Sequence, residues 1–444
     1  MQYRSQVFAG RRFTGTRMAL TLILLSSVFG SVPSNAQYNS PGTIATTDAI
    51  YEESSFETSI RDAEWQVGGL RLRPWLGVRD ASFVTNSNTA TDPQGALEDD
   101  DFTLTVGAGL RGYLPTGKLI WTAHALPEYV WWESNEDKRG VNGRFGLGVF
   151  GYFNRLRFEI SQRRLEQQDF FSSEIQELTS QRSDTSRASI EIDVARRLEL
   201  FAYGELTEIE NEEEESDVFS LLDREEEKLT IGLRYLSPRG FEVGAAFEDS
   251  SDDFSAGARQ LSNSGTSELV FLGYEGPQFS VRLNLEFRSL EGENGSEFGT
   301  FDETTGSFEA LWAPSARTTL LAYSRRERGF SVRFENAFQL AERQGLRFNF
   351  DLGKAVLGFG AAVGEDEFSA IETNVVDRID DVVDLNADVR FEVANLVEVA
   401  LRVRFTDYDS NLAAFDRDVT TFGASVQLGP LINKLKLGEP SGNW

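Results

Sequence analysis

Cysteine is absent from the 444 residues, and histidine occurs once, at His124. The first absence removes disulfide frameworks, thiolate metal sites, cysteine nucleophiles and the lipidated cysteine of a bacterial lipoprotein. Together they leave carboxylates as the only plentiful metal ligands, a donor set for Ca²⁺ or Mg²⁺ rather than zinc. After the N-terminus no run of about 20 apolar residues occurs, which excludes helical membrane spans. Positive charge is also scarce. Against 71 acidic residues stand 43 basic ones, and the net charge of −28 repels nucleic acid at long range.

The N-terminus reads as an address. Arg4, Arg11, Arg12 and Arg17 form a basic stretch, Met18 to Phe29 an apolar core, and Ser34-Asn35-Ala36 a small-residue cleavage site. Residues 1–36 are expected to be a signal peptide, cleaved after Ala36 and using general secretion. Residues 37–64, with Asp48, Glu52, Glu53 and Glu57, read as a flexible periplasmic lead-in. At the other end, residues 429–444 lose the alternation of the preceding chain and read as a periplasmic tail ending in Trp444.

Between these ends the chain has a rhythm. Eight short turns are centred at 116, 154, 196, 238, 276, 315, 353 and 395, at intervals of 38 to 42 residues. They include Pro115-Thr116-Gly117, Asn154-Arg155, Arg196-Arg197, Ala313-Pro314-Ser315 and Gly353-Lys354. Both flanks of each turn alternate apolar and polar, the period of a strand with unlike faces. In one strand Phe279, Val281, Leu283, Leu285 and Phe287 oppose Arg282, Asn284, Glu286 and Arg288. Tight turns on one side and long connections on the other mark an antiparallel transmembrane β-barrel over residues 65–428. A β-propeller shares the 40-residue period, but each repeat here holds two long strands instead of four short ones.

Two features favour a membrane barrel over a soluble sandwich. Phe153, Tyr235, Tyr274 and Trp312 stand just before tight turns, where an interfacial girdle would lie. Charge is sorted by end as well. Acidic residues crowd the long connections (98–101, 208–227, 249–253, 365–367 and 377–381), whereas the turns are basic or neutral. Eight turns with both termini on the turn side give an all-β, up-and-down barrel of about 18 strands, with 16 and 20 as alternatives. That count requires Phe330 to Leu352 to be one continuous strand across Ala341-Glu342-Arg343-Gln344.

Catalytic chemistry is thin. Gly107-Ala108-Gly109-Leu110-Arg111-Gly112 spells a dinucleotide fingerprint, but it lies inside an alternating strand and opens no helix. His124 sits mid-strand with no nucleophile at fixed spacing, so no catalytic residue and no cofactor are assigned. No specific metal site is expected; Glu212, Glu213, Glu214 and Glu215 offer at most diffuse divalent-cation binding that bridges to lipopolysaccharide phosphate. Strand parity assigns Arg71, Arg73, Arg79, Arg111, Arg155, Arg157, Glu191, Asp193, Glu199, Glu205, Arg282, Glu286, Arg402 and Arg404 to the lumen. Facing ladders of opposite sign would set a transverse field there.

The opening of the barrel, Gly68-Gly69-Leu70-Arg71-Leu72-Arg73-Pro74-Trp75-Leu76-Gly77-Val78 leading to Asn86, resembles that of the β-barrel porin type-2 family. The hairpin series up to Asp407-Tyr408-Asp409-Ser410-Asn411 is similar in style. The resemblance implies an integral outer-membrane barrel in a Gram-negative-type bacterium, some relatives being encoded beside exopolysaccharide export systems. Expected partners are outer-membrane lipid, lipopolysaccharide, the barrel-assembly machinery and a small polar solute or polysaccharide. The expected function is a porin-like channel for small polar or carbohydrate solutes. The alternative is a non-conducting structural or surface barrel with a filled lumen.

Overall fold

A computed structural model describes residues 60–61, 63, 65–87, 100–134, 136, 139–172, 175–211, 222–255, 260–293, 296–331, 336–370, 377–394, 397–412 and 415–428. The expected signal peptide, the tail and Glu212 to Glu215 lie outside the described residues.

Nineteen strands follow one another. They are β1 (Trp65–Val67), β2 (Leu70–Ser87), β3 (Asp100–Thr116), β4 (Leu119–Trp132), β5 (Gly140–Phe153), β6 (Leu156–Ser172) and β7 (Ile175–Ala195). Next come β8 (Leu198–Asn211), β9 (Arg224–Leu236), β10 (Phe241–Phe254), β11 (Asn263–Glu275), β12 (Phe279–Gly292) and β13 (Thr300–Ser315). The last are β14 (Thr318–Phe330), β15 (Asn336–Asp351), β16 (Ala355–Ala370), β17 (Arg378–Ala394), β18 (Val397–Ser410) and β19 (Arg417–Leu428). Each of β2 to β19 pairs antiparallel with its chain neighbours, and β19 pairs with β2 to close the ring. The result is the expected 18-stranded antiparallel barrel. The short β1 folds back on Leu70–Leu72, below the point where β19 stops at Leu76. Pro74 lies in that gap, paired with β3 but not with β19, where its missing N–H leaves no ladder bond unmade.

The outer face is apolar. Leu110, Leu147, Ile160, Ile231, Phe247, Phe359 and Leu401 are exposed, as are Phe153, Tyr235 and Trp312 at the tight-turn end. Large apolar groups stay exposed round a ring only if lipid covers them. The turns are those the rhythm marks; Asn154 takes a left-handed φ of 38° and Gly117 one of 70°, as tight hairpins require.

Several expectations need correction. The sixth turn falls at 316–317, because the β13–β14 register shifts between Trp312 and Ser315 and takes Pro314 into the irregularity. Phe330 to Leu352 is not one strand: β14 ends at Phe330, and β15 runs from Asn336 to Asp351 with Ala341 to Gln344 inside it. The acidic segments also lie largely on strands. Glu208, Glu210, Glu225 to Glu227, Asp249 to Asp253 and Glu365 to Glu367 belong to β8, β9, β10 and β16. Above the lipid the outward face no longer has to be apolar, so alternation ends before backbone pairing does. Finally, the lead-in enters the barrel where it is described. Ile60, helical with Arg61, packs against the inward-facing Tyr113 and Phe150 near the tight-turn end.

Candidate functional site

The inward face is set by register. On β2 it carries Arg71 and Arg73; Arg73 lies opposite Arg111 of β3, and Arg111 opposite His124 of β4. Arg402 and Arg404 of β18 face inward opposite Gly423 and Thr421, so the arginines gather on the wall around the closure. Arg404 bonds Asp384, and Arg402 donates to Ser425 Oγ at 3.2 Å. Arg79 interrupts the series. The β2–β3 register shifts between Val78 and Asp80, leaving Arg79 without a ladder partner, and its side chain lies outside the described residues. Arg155 is a second correction: it occupies the exposed two-residue turn after β5, outside the wall, so parity does not apply to it.

The opposite wall is acidic and paired. Glu199, only 1% exposed, is held between Arg157 and Arg234. Arg157 also meets Glu191 at 2.9 Å and Asp193 at 3.5 Å, while Arg234 meets Glu191 at 3.2 Å and Glu242 at 3.5 Å. Two planar guanidiniums thus share one desolvated carboxylate, which only charge-assisted forks can stabilise. Higher up, Arg187 lies 3.8 Å from Glu205 and over the Tyr203 ring. Arg288 donates to Glu286 at 2.6 Å and reaches Glu248 at 3.4 Å. Arg282 faces inward opposite Glu309 of β13.

The barrel is not closed at its long-connection end. β12 and β13 stay paired up to Glu291 and Thr300, and β14 and β15 up to Phe330 and Phe338. Between them, β13 and β14 pair no further than Gly306 and Arg326. At that last rung Arg326 donates to the Thr304 carbonyl oxygen at 2.6 Å, a side chain standing in for the next ladder bond. Beyond it the two edges overlap. Arg328, Phe330, Phe338 and Leu340 have the parity that faces lipid lower down, yet they pack on the inward face of the other edge. Arg328 donates to Asp252 of β10 at 2.7 Å, both side chains being 7% exposed. Phe330 meets Phe254 edge-on at 4.8 Å, and Phe338 meets Phe301 at 5.0 Å. Leu222, Leu261, Leu290 and Phe298 complete an apolar core between the layers. The rim is rolled like a scroll, with the β14–β15 flap inside.

Beside this core Asp223 accepts bonds from the Asn211 backbone at 2.8 Å and its side-chain amide at 3.0 Å. Burial pushes the Asp223 carboxyl up, and the two bonds oppose that shift. Among the described residues, no group of three or more His, Asp or Glu is placed to hold a metal ion.

Parity alone missed Arg328 and Asp252. Arg326 and Arg328 follow Leu320 and Ala322 at lipid-facing positions, and charge at such positions was the available signal. It also left out Phe201 and Phe271, inward aromatic residues on otherwise polar faces.

Comparison with known proteins agrees with the architecture. No protein-family model and no curated protein matches the sequence. Among solved structures, OccK2 (OpdF) of Pseudomonas aeruginosa superposes with a TM-score of 0.50 at 12% identity, covering 81% of this chain and 98% of that one. OccK9 (OpdG) of the same organism gives 0.49 at 14% identity, covering 84% and 99%. A BenF-like porin of Pseudomonas fluorescens Pf-5 gives 0.48 at 13%, covering 81% and 98%. At 12% identity the likeness to OccK2 is one of fold alone.

Proposed function

We propose that the chain is an integral outer-membrane channel for passive passage of small polar solutes. The observation that carries this is an 18-stranded ring with an apolar exterior and an ion-lined interior. At usual strand spacing and tilt such a ring is roughly 35 Å across at the backbone. Two facing layers of side chains do not fill that width, so water enters unless another segment occupies it. The scrolled rim narrows the mouth on one side, and the arginine wall lies around the closure on the other. The net charge of −28 favours cations by raising their local concentration. The tight turns and both termini face the periplasm in this reading. An exopolysaccharide association has no support in the fold or the comparisons.

The test is conductance of the refolded, heat-modifiable protein in planar bilayers under a salt gradient. Ohmic current with a reversal potential on the cation side is expected, and raised ionic strength should weaken that preference. Well-folded protein that carries no current would leave a filled structural barrel, the reading that Ile60 inside the wall favours.

A further inference from the structure

Four adjacent strands present an apolar patch to the otherwise ionic lumen. Phe201 of β8 lies opposite Gly232 of β9, which lies opposite Ala246 of β10 and then Leu269 of β11. One rung away Gly244 of β10 is opposite Phe271 of β11. The two rings are 5.9 Å apart at 57° to one another. A Cβ on Gly232 would run into Phe201, and one on Gly244 into Phe271, so each side chain leans across the next strand and its ring tip fills the space the glycine leaves. The ring planes differ, Arg234 stands over the Phe201 ring 5.9 Å from its centroid, and both rings are only partly buried, so part of each aromatic surface faces the lumen.

The surroundings define what that face would take. On one side are Glu199, Arg157 and Arg234, on the other Thr230, Glu248 and Arg288, with Thr230 donating to Glu248 at 2.8 Å. Each guanidinium is already matched to carboxylates, so no unbalanced cation is left to hold an anionic solute. Their remaining lone pairs and N–H groups can still exchange hydrogen bonds with hydroxyls. Apolar faces below and neutralised polar groups around suit a ring with a C–H face and equatorial hydroxyls. We infer that Phe201 and Phe271 form a stacking subsite for a neutral pyranose sugar in the lumen. This rests on the channel reading and names its solute class.

The experiment reads maltose and glucose against sorbitol, an open-chain polyol with no ring face, and against benzoate. Wild-type current should be interrupted by the two sugars and not by sorbitol or benzoate. Phe201→Ala and Phe271→Ala should each weaken maltose affinity roughly tenfold, about 1.4 kcal/mol. Phe201→Leu, which keeps apolar volume without a π-face, should weaken it as well, while Phe201→Trp should restore it. Current that sugars leave unchanged, block by benzoate alone, or equal maltose affinity in Phe201→Leu would each overturn the subsite. Calorimetric titration of maltose into the detergent-solubilised protein separates the two readings. Maltose binding lost in the alanine variants, without any bilayer current, would uphold the subsite and sink the channel.

Discussion

Glu199 shows what a lumen asks of one residue. It is almost wholly buried, and two arginines from strands on either side converge on it. Removing its carboxylate leaves Arg157 and Arg234 to share only the less buried Glu191. Glu199→Ala should therefore destabilise the barrel by about 3 kcal/mol, and Glu199→Gln by less, since the amide oxygen still accepts. The check is the temperature at which the fast-migrating folded band converts on semi-native gels. Glu199 was readable as inward from alternation with Leu198 and Leu200. Its two partners were not equally readable: Arg157 is directly opposite Glu191, while Arg234 reaches Glu199 from the other side only once β9 is in register. Arg155 fails for the opposite reason. It continues the parity of Arg157 in sequence, but the hairpin turns before it can continue in space.

At the scale of the strand, the β14–β15 hairpin separates what alternation determines from what it does not. Alternation fixes which residues share a face, and Phe338, Leu340, Leu346 and Phe348 do share one. It does not say what lies against that face, which is lipid at Leu346 and the inner wall of β10 to β13 at Leu340. The Arg328–Asp252 pair ties the inner layer to the outer one in a dry setting. Asp252→Ala removes the tie and leaves a buried guanidinium, so the flap should loosen. Single-channel recordings of this variant are expected to show larger and noisier openings than wild type, with the folded band still present. Unchanged conductance would mean that the aromatic contacts alone hold the flap. The strand tops carry a second feature hidden from the sequence: Glu342, Glu365, Asp381 and Asp409 are directly opposite one another on β15 to β18. Their spacing in the chain gives no hint that they form one row.

At the scale of the whole molecule, the ring and its strand number were legible because turn chemistry recurs on a fixed period. Membrane sidedness rests on the asymmetry of the connections, and the missing cysteines make it directly testable. Asn411→Cys, on a long connection, should react with a membrane-impermeant maleimide in intact cells. Arg239→Cys, in a tight turn, should react only after the outer membrane is permeabilised. The reverse pattern would invert the topology. A hoop of hydrogen-bonded strands has a circumference fixed by its strand count, and changing it means adding or removing hairpins. An overlapped end is different, because its girth depends on how far one layer has slid past the other. Side chains such as Arg328, Phe330 and Leu340 set that position here, so point substitutions can retune the outer aperture like an adjustable collar while the membrane-embedded hoop stays the same size.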